Sequence, residues 1–308
     1  MKKIVILSGP TATGKTSWAI KIAKKFDAEV VNFDSLLFYK ELTIGTAKPT
    51  AAEQDNVPHH LVDIRSIREP INAADFTLIA APVIESIHRR NKLVLLVGGS
   101  GFYLQALVEG MWRSPTTPAE IESKSDALFA DQGITPFLEV LEKHDRESFH
   151  RLHANDYYRV RRAVEHYWAT GTAFSSAKDA FSPVAPPDWD LLHLHLDLPK
   201  EDHHALLVKR TELMLEQGLI QEVEGLLKSG YSGTEKPLQS IGYKEILDWL
   251  NGVYGQDKHA LIERIVINTR RLAKSQRTWF KKKQKESFDP RYDGEALMAR
   301  VQDFISRE

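Results

Sequence analysis

The run Gly9-Pro10-Thr11-Ala12-Thr13-Gly14-Lys15-Thr16 fits the pattern G-x-x-x-x-G-K-[ST] at every fixed position. Its chemistry is the gripping of phosphate. The glycines let backbone N–H groups converge on phosphate oxygens, and the start of a following helix adds partial positive charge. Lys15 supplies a mobile cation for an outer phosphate, and Thr16 offers a hydroxyl to Mg2+. The pattern does not say which phosphate compound is held. Nucleotide hydrolases pair such a loop with an apolar strand that ends in Asp. The best strand for that task here, Leu93 to Val97, runs instead into Gly98-Gly99-Ser100-Gly101. This counts against ATP or GTP hydrolysis unless Asp34 or Asp63 serves from another strand.

Asp34 closes a second strand, Glu29 to Phe33, and so belongs at the same sheet rim as Lys15. If the first strand adjoins the second, the two side chains are close neighbours. A carboxylate there takes a proton from a nucleophile, holds a metal, or caps the Ser35-Leu36-Leu37 segment. Two tight polar loops, Gly45 to Pro49 and Gly98 to Gly101, fall at the same rim and admit close ligand approach. Two later stretches mix basic and aromatic residues. One is Tyr157-Tyr158-Arg159-Val160-Arg161-Arg162, behind a cap at Asn155. The other lies between Arg264 and Lys285, where nine Lys or Arg stand without one Asp or Glu. As a helix, that second stretch puts Arg270, Lys274, Arg277 and Lys281 on one face, with Ile265, Leu272 and Trp279 on another. A basic stripe on a docked helix suits nucleic-acid phosphates. The twelve histidines form no metal motif; His59-His60 and His203-His204 are adjacent pairs that point apart, and His193 and His195 read as structural.

The elements that must position these residues follow from the apolar pattern. Lys3 to Ser8, Glu29 to Phe33 and Leu93 to Val97 read as buried strands, with helices over Ser17 to Phe26 and Asp75 to Arg89 between them. Fully apolar strands separated by helices imply an α/β fold with a parallel sheet covered on both faces, and function at the carboxyl ends of the strands. From Arg113 to about Pro187 no strand pattern is visible, and Pro-rich runs at Ser114 to Pro118 and Pro183 to Pro187 bracket several helices. One strand returns at Leu191 to Leu198, beyond which the chain reads as helical to its end. The expected organisation is a core of residues 1–112, a helical insertion of 113–189, and a second core part of 190–308. The 308 residues are 42% hydrophobic and 27% charged, the profile of a soluble globular protein. Absence of cysteine excludes disulfides, thiolate metal sites and cysteine nucleophiles. No apolar run approaches a membrane span, and the N-terminus enters a strand at once, so a cytoplasmic protein is expected.

Together the motifs resemble one family, the tRNA dimethylallyltransferases. The resemblance runs nearly end to end: GPTATGKT from Gly9, DSLLFYKELTIGTAKP from Asp34, PHHLVDI from Pro58 and LVGGSGFYLQAL from Leu96. It continues through HANDYYRVRRAVE from His153, IGYKE from Ile241 and TRRLAKSQRTWF from Thr269. It implies a P-loop NTPase-like parallel sheet flanked by helices, with a helical insertion domain that clamps tRNA. It implies transfer of the dimethylallyl group of dimethylallyl diphosphate to N6 of the adenosine just 3′ of the anticodon. The loop Gly9 to Thr16 then holds the prenyl diphosphate with Mg2+ on Thr16, and Asp34 becomes the general base. Ser35, Leu36 and Leu37 contact the flipped adenosine and its neighbours, and Ser100 contacts the tRNA backbone or the base. Tyr158, Arg159, Val160, Arg161, Arg162, Gln239, Lys244, Arg270, Lys274 and Arg277 grip the anticodon stem-loop. Many members carry Gln at Leu37 and Thr at Ser100, and Glu122 stands where a basic contact is common, with Lys124 near. A monomer is expected. The residues alone leave a P-loop kinase of a small metabolite, or a non-catalytic RNA-binding protein, as other readings.

Overall fold

Residues Ile4 to Leu7 are apolar on both sides, so the strand that carries them must be covered on both faces and flanked on both edges. The computed structural model, which describes residues 2–112, 115–179 and 188–307, places that strand inside the sheet. In chain order the elements are β1 (Lys2–Ser8), α1 (Lys15–Phe26), β2 (Ala28–Asn32), α2 (Ala51–Gln54), β3 (His59–His60), α3 (Ala73–Arg89), β4 (Leu93–Gly98) and α4 (Gly101–Glu109). Then come α5 (Ala119–Gln132), α6 (Thr135–His144), α7 (Arg146–Arg151), α8 (Tyr157–Thr170) and α9 (Phe174–Asp179). The chain returns through β5 (Trp189–Leu196), α10 (Lys200–Glu216), α11 (Leu219–Lys228), α12 (Tyr243–Leu250), β6 (Val253–Gln256), α13 (Lys258–Lys281), β7 (Glu286–Phe288) and α14 (Gly294–Ser306). Ser114 and Pro183 to Pro187, expected as loop ends of the insertion, lie outside the described residues.

The chain forms two units, Met1–Val108 with Pro186–Glu308, and Glu109–Ala185. The first holds a six-stranded sheet of order β3-β2-β4-β1-β5-β7, and its strand pairs are parallel. Alternate residues feed two cores. Ile4, Ile6, Val31, Phe33, Val94 and Leu96 meet Phe76, Ala80, Ile84 and Ile87 of α3. Val5, Leu7, Val30, Leu95, Leu192 and Leu194 meet Ala19 and Ile22 of α1 and Leu297 and Val301 of α14. A third cluster joins Tyr39, Leu42 and Ile67 to α11, α12 and α13 through Val223, Tyr243, Ile246 and Ile265. In the second unit, Phe137, Leu141, Val160, Ala163 and Val164 are the buried centre of a helical cluster, and its described residues contain no strand.

One condition is settled and one expectation changes here. The first strand does not adjoin the second: β4 lies between them, paired with both. The chain beyond β5 is not wholly helical either. β7 pairs with β5 in register Leu194↔Glu286 to Leu196↔Phe288, and β6 lies outside the sheet. Three residues of strand beside a lysine run carry too little periodicity to be read from sequence. His193 and His195 prove structural, as expected. The Ser8 hydroxyl sits 2.7 Å from His193 Nε2 and 2.8 Å from His195 Nδ1. Burial, with Lys285 adding to it, pushes the two imidazoles down to about 4 and about 3, so both are neutral at ordinary pH.

Candidate active site at the carboxyl rim of the sheet

The loop after β1 is shaped by its own polar groups. Thr13 Oγ1 donates to the Pro10 carbonyl at 2.9 Å, and Lys15 Nζ donates to the carbonyls of Gly9 at 3.0 Å and Pro10 at 2.8 Å. Ala12 at φ 62° and Gly14 at φ 78° take left-handed conformations, which cost a non-glycine residue about 1–2 kcal/mol. Left-handed residues of this kind turn successive N–H groups inward to form an anion-binding hollow. Gly14 opens α1 without a side-chain cap, so its first turn keeps free N–H groups for an anion. Burial lowers the Lys15 ammonium to about 8, opposed by Asp34 and aided by Arg210.

Asp34 is held by its neighbours. Asn32 Oδ1 accepts from the Asp34 N–H at 2.8 Å, and Asn32 Nδ2 donates to the carbonyls of Asp34 at 3.1 Å and Leu61 at 3.0 Å. One carboxylate oxygen, Oδ1, accepts from the Leu36 N–H at 3.2 Å. The capping role is therefore a turn contact rather than a helix cap, since no helix follows. The neighbouring Ser35 N–H donates to Ser100 Oγ at 3.1 Å, which joins the loops after β2 and β4.

Two cavities meet at this rim. One, of about 260 Å³, is walled by the phosphate loop, Ala19, Val30, Leu37, Pro49, His59 and Val62. The other, of about 520 Å³, is walled by Ser35, Leu36, Ser100, Phe102, Met214, Gln239, Leu272 and Trp279. Thr11, Asp34, Thr46 and Arg210 line both. The shared loop bearing Thr46 hangs from α11: Glu222 accepts N–H groups of Thr43 and Ile44 and the Tyr243 hydroxyl. A carboxylate and a guanidinium thus stand where the cavity of the Gly9–Thr16 loop adjoins an aromatic one.

Several residues were not visible beforehand. Arg210 is enclosed, and burial lowers its guanidinium while Asp34 opposes that shift. In the sequence it is one more cation on a helix rich in charge. Asn32 left a weak trace as the polar residue that ends the apolar pair Val30-Val31. Phe102 and Trp279, edge to face at 6.1 Å, belong to the second cavity. Trp279 packs partly against the first core and also lines that cavity, whereas Leu272, 40% exposed, leaves the docked face of α13; the fully buried seam is Leu261, Ile265, Val266, Ala273 and Phe280.

The basic residues divide into two sets. Tyr158 is 68% exposed, and Arg159 is exposed with an ion pair to Asp156 at 2.6 Å. Arg270 and Lys274 are exposed on α13. Val160 is fully buried and offers no side chain to RNA. Arg161 bonds Ser125 at 3.0 Å, pairs with Asp126 and lies over the Phe129 ring at 5.0 Å. Arg162 bonds Thr117 at 2.6 Å and Glu165 at 3.1 Å. These two arginines neutralise acids of their own unit. Arg277 also leaves the expected stripe: it bonds Asp197 at 2.7 Å, the Leu198 carbonyl at 3.2 Å and His203 Nδ1 at 3.0 Å. Lys244 pairs with Asp248 at 3.1 Å, while Gln239 donates to the Gly233 carbonyl at 2.6 Å. Glu122 and Lys124 are both exposed, Lys124 over the Trp168 ring at 4.4 Å.

Comparison with known proteins adds an independent line. The model of a family described as IPP transferase matches residues 37–283. A protein named tRNA dimethylallyltransferase 2 from Geotalea uraniireducens is 41% identical over 280 residues, 91% of this chain and 89% of that one. A tRNA dimethylallyltransferase of Desulfitobacterium hafniense is 38% identical over 96% of this chain and 93% of its own. Among solved structures, the tRNA isopentenylpyrophosphate transferase of Bacillus halodurans is 33% identical, with a TM-score of 0.71 over 99% of this chain and 96% of that one. A eukaryotic dimethylallyltransferase acting on tRNA is 30% identical, with a TM-score of 0.83 over 99% of this chain and 80% of that one.

The geometry between the two loops is strict at Gly98. A Cβ there would lie 2.8 Å from the Asp34 nitrogen and 2.7 Å from the Phe33 ring. Gly98→Ala should therefore destabilise the protein by about 1–3 kcal/mol, read as a lower denaturation midpoint in urea at unchanged slope. A midpoint equal to wild type would show that this crowding is easily relieved.

Proposed function

We propose a reaction for this rim on one premise: the chain belongs to the IPP transferase family, whose model covers most of it and whose curated relatives align nearly end to end. Its fold is the P-loop NTPase-like parallel sheet flanked by helices. The enzyme is a prenyltransferase that transfers a dimethylallyl group to tRNA. The finer reading is that dimethylallyl diphosphate enters the cavity of the phosphate loop and the adenosine 3′ of the anticodon enters the aromatic one. The observation that carries it is the junction of the two cavities at Asp34 and Arg210.

At that junction the exocyclic N6 lone pair attacks C1 of the prenyl group as the C1–O bond to diphosphate breaks. The electron pair of that bond leaves with the diphosphate, and the N6 proton passes to Asp34. An aromatic amine is a weak nucleophile, so positioning and leaving-group stabilisation must supply the rate. Lys15, Arg210 and the N–H groups at the start of α1 stabilise the departing charge. Ala19, Val30, Leu37, Pro49 and Val62 give the prenyl tail an apolar wall. Ser35, Leu36, Ser100, Phe102 and Trp279 hold the base, which leaves a single-stranded loop at modest cost.

Mg2+ fits this donor set in one way. Among the described residues no three His, Asp or Glu stand together as a metal site. Thr16 is exposed in the first turn of α1 and lines the diphosphate cavity with Asp34. One hydroxyl and a nearby carboxylate suit an ion that is bound chiefly through substrate phosphates. Bound there, it would neutralise charge on the leaving diphosphate. The domain reading is that the helical unit and the exposed cations of α13 engage the anticodon stem-loop. Tyr158, Arg159, Arg270 and Lys274 are its exposed side chains. A monomer acting in the cytoplasm completes the proposal; no helix of the described residues is long and apolar enough to cross a membrane.

The direct assay is transfer of label from radioactive dimethylallyl diphosphate to tRNA, followed by nucleoside analysis. Label on N6 of the adenosine 3′ of the anticodon is expected; ATP turnover without label would sink the reading. Asp34→Asn should slow transfer by roughly 10²-fold or more with tRNA affinity retained, and a normal rate would remove Asp34 as the base. Diphosphate binds the ammonium form of Lys15, which loses its proton as pH rises through about 8. The kcat/KM for dimethylallyl diphosphate should therefore decline above that pH, and Lys15→Gln should lower kcat/KM and flatten the limb. Replacing Arg270 and Lys274 together by Ala should weaken tRNA binding and reduce the magnitude of its log–log salt slope by about 1 to 2. An unchanged slope would take this face of α13 out of the RNA interface.

A further inference from the structure

The apex of the phosphate loop is held from outside by side chains that the reaction itself does not use. The peptide between Pro10 and Thr11 is fixed at both polar ends. Its carbonyl receives Thr13 Oγ1 and Lys15 Nζ, and its N–H donates to Gln276 Oε1 of α13 at 3.0 Å. The next peptide, between Thr11 and Ala12, is fixed by His203 of α10, whose Nε2 lies 2.7 Å from the Thr11 carbonyl. That contact requires the Nε2 proton, because a carbonyl only accepts.

Which ring nitrogen carries the proton is set by the other one. His203 Nδ1 lies 3.0 Å from Arg277 Nη2, and a guanidinium only donates. Nδ1 must therefore be the acceptor, and a neutral ring then has its proton on Nε2. Arg277 is fixed in turn by Asp197 at 2.7 Å and the Leu198 carbonyl at 3.2 Å, where the chain leaves β5. The ring is 2% exposed, and its burial, with Arg277 beside it, disfavours the charged form. In a trans peptide the C=O and N–H point in opposite directions. His203 draws the Thr11 carbonyl to itself, so the Ala12 N–H faces away from α10. Ala12 is also the non-glycine residue of the loop with left-handed φ and lines the diphosphate cavity.

We infer that His203 and Arg277 are positioning residues for the diphosphate loop: Asp197 orients Arg277, Arg277 fixes the tautomer of His203, and His203 sets the peptide that presents the Ala12 N–H. This rests on the reading that the loop holds the prenyl diphosphate. It moves Arg277 from the RNA interface to the other substrate. Such a role predicts a defect specific to diphosphate, with RNA affinity intact.

The test compares His203→Ala, His203→Gln and Arg277→Ala with wild type. Glutamine places an amide N–H near the position of Nε2 and restores the donor without needing a tautomer. The measurements are steady-state transfer with dimethylallyl diphosphate varied at saturating tRNA, inhibition by inorganic diphosphate, and tRNA affinity by filter binding. His203→Ala and Arg277→Ala should each raise KM for dimethylallyl diphosphate, and Ki for inorganic diphosphate, by about 10-fold or more, with kcat changed less. tRNA affinity should stay within about twofold, and His203→Gln should return KM to within about threefold of wild type. Circular dichroism and melting temperature establish that each variant is folded. Should His203→Ala not fold, Arg277→Ala decides, since it leaves the histidine in place. Weaker tRNA binding by Arg277→Ala at an unchanged KM for dimethylallyl diphosphate overturns the inference, as does failure of His203→Gln to improve on His203→Ala. If wild type itself transfers no prenyl group from dimethylallyl diphosphate, the underlying reading falls; if wild type does and the variants keep its KM, only this inference falls.

Discussion

A third strand separates the phosphate loop from the carboxylate. β4 pairs with β1 on one side and β2 on the other, so the loop after β1 and Asp34 after β2 belong to strands two spacings apart, roughly 10 Å. Whatever follows β4 stands in the middle of the site. Gly98 and Gly99 occupy that position: a Cβ on Gly98 would run into the backbone of Phe33 and Asp34 at 2.8 Å, and one on Gly99 would displace the Gln276 amide, 2.4 Å away. The missing strand-end acid therefore has a steric meaning as well as a chemical one. The gap is left clear so that one substrate can reach from the loop to the carboxylate. On the proposed reading, a phosphate group at one side and a reacting carbon at the other fit that span, with the nucleophile meeting the carbon at Asp34.

The electrostatics of the rim follow from what is enclosed. Lys15 and Arg210 are both cations in a confined space, each disfavoured by burial and each favoured by Asp34. Two cations facing one carboxylate leave an excess of positive charge that a diphosphate relieves. Elsewhere, several cations are already paired within the protein. Arg161, Arg162 and Arg277 have acids within bonding distance, and so does Lys48, which pairs with Asp63. The cations left for a polyanion are fewer than the composition of the C-terminal segment implies.

The sequence carried the loop, the carboxylate and the alternation of strands and helices because each is a local pattern. Gly9 to Thr16 is fixed by spacing, and the strands by continuous apolar runs. The order of the strands is not local, which is why β4 was not placed between the other two. Direction was also invisible. Arg277 and Lys274 are three residues apart on one helix, yet only Arg277 meets Asp197, a partner far along the chain. Val160 sits in a basic run and is nonetheless core, because its neighbours on α8 point elsewhere. Arg210 and His203 lie on α10, whose residues alternate charge without a clean apolar face. Only the fold makes these two the ones that face the rim.

The topology also bears on how the chain is made. β1 is flanked by β4, complete at residue 98, and by β5, which begins at residue 189. A ribosome adding about 5–20 residues per second needs roughly 5–20 s to bridge that interval. Throughout it, one edge of β1 has no partner, and the core cluster lacks Leu192, Leu194 and Leu196. The helical unit is synthesised within that window and has its own buried centre, so it can collapse while the sheet waits. Nascent-chain vulnerability in this protein is thus concentrated between the fourth and fifth strands, and it ends when a single eight-residue segment docks.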